Sequence, residues 1–191
     1  MPRLFTGLEI PAPAAERLAA LRGGLAGARW VEPENYHITL RFLGDVDNAL
    51  AARFAEALAA PQFPAFALQL EGLGSFGGRR PRALWAGVAA SEPLLALQRA
   101  HEQAARAAGL EPEGRNFHPH VTLARLRNAK PPAVARWLEE KGGLAPMPIP
   151  VSRFVLFSSR ASRGGGPYVV EEAFALAPPL EREADAGTAA R

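Results

Sequence analysis

Cysteine is absent from all 191 residues, which removes disulfides, thiol nucleophiles and thiolate metal sites and fits a reducing compartment. Lysine is scarce, with Lys130 and Lys141 set against a far larger number of arginines. No apolar run reaches membrane length, and the opening MPRLFTGLEI lacks a secretory signal's apolar stretch and small-residue cleavage site. The expectation is a soluble, cytoplasmic protein. No P-loop, dinucleotide-binding glycine fingerprint, zinc-finger spacing or serine elbow occurs, so an ATP-dependent mechanism has no support.

What is present is globular. Hydrophobic residues make up 48% and charged residues 21%, enough to bury a core in one domain or two tightly joined lobes. The formal charge of +3 permits an anionic ligand without establishing nucleic-acid binding. Glycine and proline number 18 each, a bias that fits either GC-rich coding or a hot environment.

Apolar periodicity divides the chain into short strands and helices. Strands are expected at 3–10, 29–31, 36–43, 66–73, 82–89, 118–126, 151–159 and 168–176. Helices are expected at 14–25, with Leu18, Leu21 and Leu25 on one stripe, from Asp47 or Asn48 to Pro61, at 92–108 and at 131–140. The loops GSFGGRRPR and SRASRGGGP join strand pairs, and from Pro178 the chain reads as a flexible tail, 178–191. No linker splits residues 1–177, so two lobes sharing one sheet system are expected.

The segments NYHITLRFLGDV and HPHVTLAR each carry a His-x-Thr-Leu pattern, the second 83 residues after the first. Side chains at i and i+2 of a strand share a face. His37 and Thr39 are thus paired on one side with Ile38 and Leu40 on the other, and His120 and Thr122 are set likewise against Val121 and Leu123. If the strands are neighbours, two imidazoles and two hydroxyls line one cleft. That set suits metal-free phosphate-ester hydrolysis: a neutral imidazole takes a proton from water, an imidazolium gives one to the departing alkoxide, and the hydroxyls hold nonbridging oxygens.

In RLFTGLEI, WVEPENYHITLRFLGDV and FHPHVTLARL, followed by a glycine-rich turn and Tyr168, the chain resembles the two-histidine phosphoesterase superfamily, specifically the bacterial and archaeal RNA 2',3'-cyclic phosphodiesterases formerly described as 2'-5' RNA ligases. The resemblance spans most of residues 3–176. It implies an α+β bilobal fold, two pseudo-symmetric antiparallel-sheet lobes with outer helices around a central cleft. It implies opening of a terminal RNA 2',3'-cyclic phosphate to a 2'-phosphate by water, with no metal or other cofactor, and a related reversible 2'-5' ligation. By the same resemblance His37 is the general acid, His120 the general base, and Thr39 and Thr122 bind the phosphate, although the two histidine roles are exchangeable.

Phe42 and Arg125 are the substrate-binding candidates, the one by stacking and the other by a guanidinium contact. Strand alternation alone sets Phe42 on the apolar side with Leu40. Arg79, Arg80, Arg82, Arg160 and Arg163 lie in loops able to funnel RNA, His101 reads as a packing or surface residue, and His118 as a support for His120. The partner expected is RNA with a terminal 2',3'-cyclic phosphate, with no membrane and no obligate protein. Three alternatives stand beside this: a noncatalytic RNA-end-binding module, a phosphodiesterase for small cyclic nucleotides, and a metal site built on His37, His118 and His120.

Overall fold

The structure, a computed structural model, describes residues 3–59, 62–159 and 166–178. Its strands are β1 (Arg3–Glu9), β2 (Ala28–Trp30), β3 (His37–Asp45), β4 (Phe66–Phe76), β5 (Ala83–Val88), β6 (His120–Leu126), β7 (Met147–Val151), β8 (Arg153–Ser159) and β9 (Tyr168–Ala175). The helices are α1 (Ala12–Ala19), α2 (Asn48–Ala59), α3 (Glu92–Ala107) and α4 (Pro131–Lys141). All pairings between these strands are antiparallel, in the order β7-β4-β5-β6-β3-β1-β8-β9, with β2 added beside β6. Read outward from the β6–β3 junction, the halves β6-β5-β4-β7 and β3-β1-β8-β9 match strand for strand, which is the α+β bilobal arrangement expected.

The halves meet through one strand pair, Ile38 opposite Val121. Both side chains are fully buried in the main core, together with Leu40 and Leu123, Phe54 and Leu58 of α2, Leu94 and Leu97 of α3, and Trp137 of α4. Burying an aliphatic chain of this size contributes about 1.5–3 kcal/mol. The junction is therefore held by oily side chains behind the sheet, which leaves its other face free for polar ones.

Local chemistry explains where the elements end. Asp47 caps α2, its Oδ1 accepting the Leu50 N–H at 2.8 Å. Helix α1 stops at Ala19 and does not reach Leu25, because Gly23 and Gly24 take positive φ and turn the chain; Leu25 is buried from the loop that follows. Strand β4 runs on through Gly74, Ser75 and Phe76, where a loop was expected, and the missing side chain at Gly74 admits the Trp85 ring against its backbone. Strand β7, Met-Pro-Ile-Pro-Val, was not expected. It lies at the sheet edge beside β4 with Met147, Ile149 and Val151 buried, while Pro148 and Pro150 are exposed. Proline lacks an N–H for a second neighbour, so alternate prolines confine a strand to an edge.

Apart from Pro178, the tail lies outside the described residues, as do Arg160 and Arg163. Among the described residues, no helix is long and apolar enough to cross a membrane.

His101 is a packing residue. It is fully buried on α3, its Nδ1–H donates to the Leu97 carbonyl at 2.8 Å, and its ring meets Phe154 edge-on at 4.6 Å. Its Nε2 has no hydrogen-bond partner among the described residues, and burial pushes its pKa down from 6.5 to about 4. The unfolded chain thus binds more protons than the folded one between those values, so stability falls as pH drops through that window. His101→Leu is expected to reduce the loss of unfolding free energy between about pH 7 and 5, measured by urea titration at each pH; an unchanged slope would show that His101 does not carry it.

Candidate active site

Two β-bulges at matching places shape the working face. Along β3, Thr39 pairs with Gly7 but Arg41 pairs with Thr6, so Leu40 is an extra residue. Along β6, Thr122 pairs with Trp85 but Ala124 pairs with Leu84, leaving Leu123 as the extra residue. Each bulge buries two consecutive residues, Leu40 with Arg41 and Leu123 with Ala124, and returns the next one to the opposite face. Phe42 and Arg125 therefore hold equivalent positions after His37 and His120. This corrects the alternation that set Phe42 with Leu40: Phe42 is 40% exposed and Leu40 only 3%.

The buried Arg41 has its own partners. Its Nε lies 2.8 Å from Glu102 of α3, and its Nη1 lies 3.8 Å from Glu113. Glu113 in turn holds Arg115 through two 3.0 Å hydrogen bonds, and Arg115 lines the cleft. That pairing holds the Glu113 carboxyl below the usual range. Sequence patterning did not single out Arg115, whose loop has no periodicity.

Counting antiparallel from the Ile38–Val121 pair sets His37 opposite Thr122 and Thr39 opposite His120. These four side chains line one cavity of about 250 Å³, together with Phe76, Arg115, Arg125 and Tyr168. The structure thus brings Arg125 to the site, whereas Phe42 sits farther along the same face, stacked on Phe5 at 6.4 Å with Arg3 over its ring. Arg79, Arg80 and Arg82 are exposed and do not line this cavity.

Each imidazole is oriented in the same way. His37 Nδ1 lies 2.8 Å from the Asn35 carbonyl, and His120 Nδ1 lies 2.7 Å from the His118 carbonyl. A carbonyl oxygen only accepts, so both Nδ1 atoms carry the proton and each neutral ring keeps its lone pair on Nε2. His118 supports its neighbour through the backbone, while its own ring packs against Trp85 at 5.0 Å and Phe76 at 5.6 Å. Among the described residues, no three His, Cys, Asp or Glu side chains converge to hold a metal ion, so His37, His118 and His120 do not form that set.

Aromatic rings surround both histidines. Phe5 and Tyr168 lie 4.9 Å from His37 and Phe157 lies 5.6 Å away, while Phe76 meets His120 edge-on at 4.9 Å. Partial burial among these rings is the main reason that the His37 pKa is pushed down to about 4, with the nearby His120 and Arg125 adding to the effect. Burial also lowers His120, helped by His118 and Arg125. Tyr168 is positioned by its own N–H, which donates to Asn35 Oδ1 at 3.0 Å; a side chain at Gly166 would collide with that carboxamide. Asn35 thus joins the start of β9 to the carbonyl that orients His37.

At pH 7.5 both rings are expected as the neutral Nδ1–H tautomer, read from long-range ¹H–¹⁵N correlations. An Nε2–H tautomer or a full imidazolium at either position would contradict the geometry.

The family described as LigT like phosphoesterase matches residues 8–85 and 87–168, once over each half of the chain. An RNA 2',3'-cyclic phosphodiesterase of Aeropyrum pernix is 40% identical over 159 residues, covering 80% of this chain and 90% of that protein. One of Thermotoga maritima is 32% identical over 165 residues, covering 85% of this chain and 87% of the relative. Among solved structures, LigT of E. coli complexed with 3'-AMP superposes with a TM-score of 0.73 at 27% identity, covering 92% of this chain and 99% of the other. A Thermus thermophilus protein, TT0787, gives a TM-score of 0.77 at 27% identity, covering 91% and 97%. With a matched sequence half behind each histidine strand, the chain belongs to the two-histidine phosphoesterases, in the LigT and RNA 2',3'-cyclic phosphodiesterase family.

Proposed function

We propose that this protein hydrolyses the terminal 2',3'-cyclic phosphate of RNA to a 2'-phosphomonoester without a metal, and that His37, His120, Thr39 and Thr122 carry the reaction. The observation that supports it most is the pairing of two Nε2-facing imidazoles across one cavity, each opposite the other strand's threonine. The reaction named for the curated relatives supports the choice of substrate. Residues 1–177 act as one bilobal unit in this reading, since each half supplies one histidine and one threonine.

The cyclic phosphate sits between the strands. His120 Nε2 accepts a proton from water as its oxygen attacks phosphorus, the bond from phosphorus to the 3' oxygen breaks opposite, and His37 Nε2–H donates to that oxygen. Thr39 and Thr122 hydroxyls donate to the nonbridging oxygens, where negative charge accumulates. The proton taken by one imidazole balances the one given by the other, so the cycle needs no cofactor. An imidazolium at a site that depresses its pKa is a strong acid, which suits His37 to an alkoxide leaving group, and the bound phosphate anion favours its protonated form. Arg125 contacts the phosphate and Phe42 supports a base farther along the face. The 5'-hydroxyl of a second RNA in place of water would give a 2'-5' linkage by the same displacement of the 3' oxygen, but water is abundant and hydrolysis is the primary direction. A cytoplasmic location fits the absence of cysteine.

The test is turnover of an RNA ending in a 2',3'-cyclic phosphate in excess EDTA, with the product resolved as the 2'- or 3'-phosphate. The 2'-phosphate is expected, with a loss of about 10²- to 10⁴-fold in His37→Ala and in His120→Ala. A substrate with sulfur at the 3' bridging position needs little protonation on leaving, so it should restore His37→Ala and not His120→Ala; the reverse would exchange the roles. RNA binding without turnover would point to an RNA-end-binding module, and turnover of small cyclic nucleotides alone to a different substrate.

A further inference from the structure

A second cavity, of about 280 Å³, adjoins the histidine cleft and shares Val31 and Arg125 with it. Its remaining lining comes from β2 and the turn that follows, including Arg29, Glu32 and Glu34, with Gly166 and Pro167 on the other side. Arg29 and Arg125 are direct cross-strand partners between β2 and β6, and both are exposed. Directly opposed residues of an antiparallel pair project to the same side, and like charges placed so repel one another. Among the described residues, neither guanidinium has a carboxylate within salt-bridge distance. Glu32 does not neutralise them, because Arg22 holds it through hydrogen bonds of 3.0 and 2.8 Å.

Two unneutralised guanidiniums based at directly opposed positions on the rim of a cavity suit a bridging anion. Arginine offers a planar fork of donors that matches phosphate oxygens, and an anion between two forks turns their repulsion into attraction. Arg125 already reaches the histidine cleft, so the anion it shares with Arg29 lies one step along the chain from the reacting phosphorus.

We propose that Arg29 and Arg125 form a second phosphate subsite, which takes the phosphodiester on the 5' side of the terminal nucleotide and makes an oligonucleotide end a better substrate than a mononucleotide. This rests on the phosphodiesterase reading above and adds the class of substrate. Glu34, on the same rim, can accept a hydrogen bond from the ribose hydroxyl or exocyclic amine next to that phosphate. Arg29 is not part of the proton transfers, so its contribution is confined to substrates long enough to reach it.

The experiment compares adenosine 2',3'-cyclic phosphate with the dinucleotide ApA ending in the same cyclic phosphate, in the full chain and in Arg29→Ala and Arg29→Gln. The wild-type protein should prefer the dinucleotide in kcat/KM. In both variants the ratio of dinucleotide to mononucleotide kcat/KM should fall about tenfold, the scale of one charge-assisted hydrogen bond. The salt dependence of dinucleotide kcat/KM should also weaken, by about 0.7 in log–log slope for one lost single-strand phosphate contact. No wild-type preference, or an equal loss on both substrates, or no loss on either, would overturn the subsite. Binding of the uncleavable product ApA 2'-phosphate, titrated calorimetrically, separates the two readings. Weaker binding in Arg29→Ala would uphold the subsite even if neither cyclic phosphate were turned over, whereas that absence of turnover would defeat the phosphodiesterase reading alone.

Discussion

The Ile38–Val121 pair is the contact on which the rest of the site depends. Among the named strands it is the one place where the two half-sheets pair, and the antiparallel register there sets each histidine against the other strand's threonine. Both residues are buried without residual exposure, so the register is fixed by oily packing behind the sheet and not by the polar groups in front of it. A slip of one residue would carry His37 and Thr39 into the core and Ile38 into the cleft, a cost the packed interior does not permit. The catalytic geometry proposed here is therefore specified by side chains that never touch substrate.

The same logic governs the electrostatics. Aromatic rings packed against each imidazole limit its contact with water and lower both pKa values, which favours neutral rings with the lone pair on Nε2. Backbone carbonyls of Asn35 and His118 fix the opposite nitrogen in each ring. A phosphate anion entering this setting brings the charge that makes one imidazolium favourable, which couples protonation to substrate binding. Nearby arginines add a field of the same sign as the imidazolium, and an anionic ligand reverses their effect.

Much of this was legible in the chain because strand chemistry has a period of two. Alternation alone assigned His37, Thr39, His120 and Thr122 to one kind of face and Ile38, Leu40, Val121 and Leu123 to the other, and the duplication suggested a shared cleft. The same rule misplaced Phe42, since a bulge at Leu40 adds a residue that no alternation reveals. Strand β7 was missed because two prolines in five residues read as loop, although an edge position tolerates them. The apolar period through Leu21 and Leu25 runs past the end of helix α1 at Ala19, because period alone does not register the turn that Gly23 and Gly24 make before Leu25. Arg115 and the Arg29–Arg125 pairing depend on long-range register, which local sequence does not carry.

The central claim is that a single phosphorus is held between two imidazoles from opposite halves of the molecule. A crystal structure with a nucleoside 2'-phosphate bound tests it most directly. The account predicts the phosphate between β3 and β6, with Nε2 of His37 and of His120 each at about 2.7–3.2 Å from a phosphate or ribose oxygen on opposite sides of the phosphorus. A phosphate held by one imidazole, with the other turned away or bonded only to protein, would contradict it.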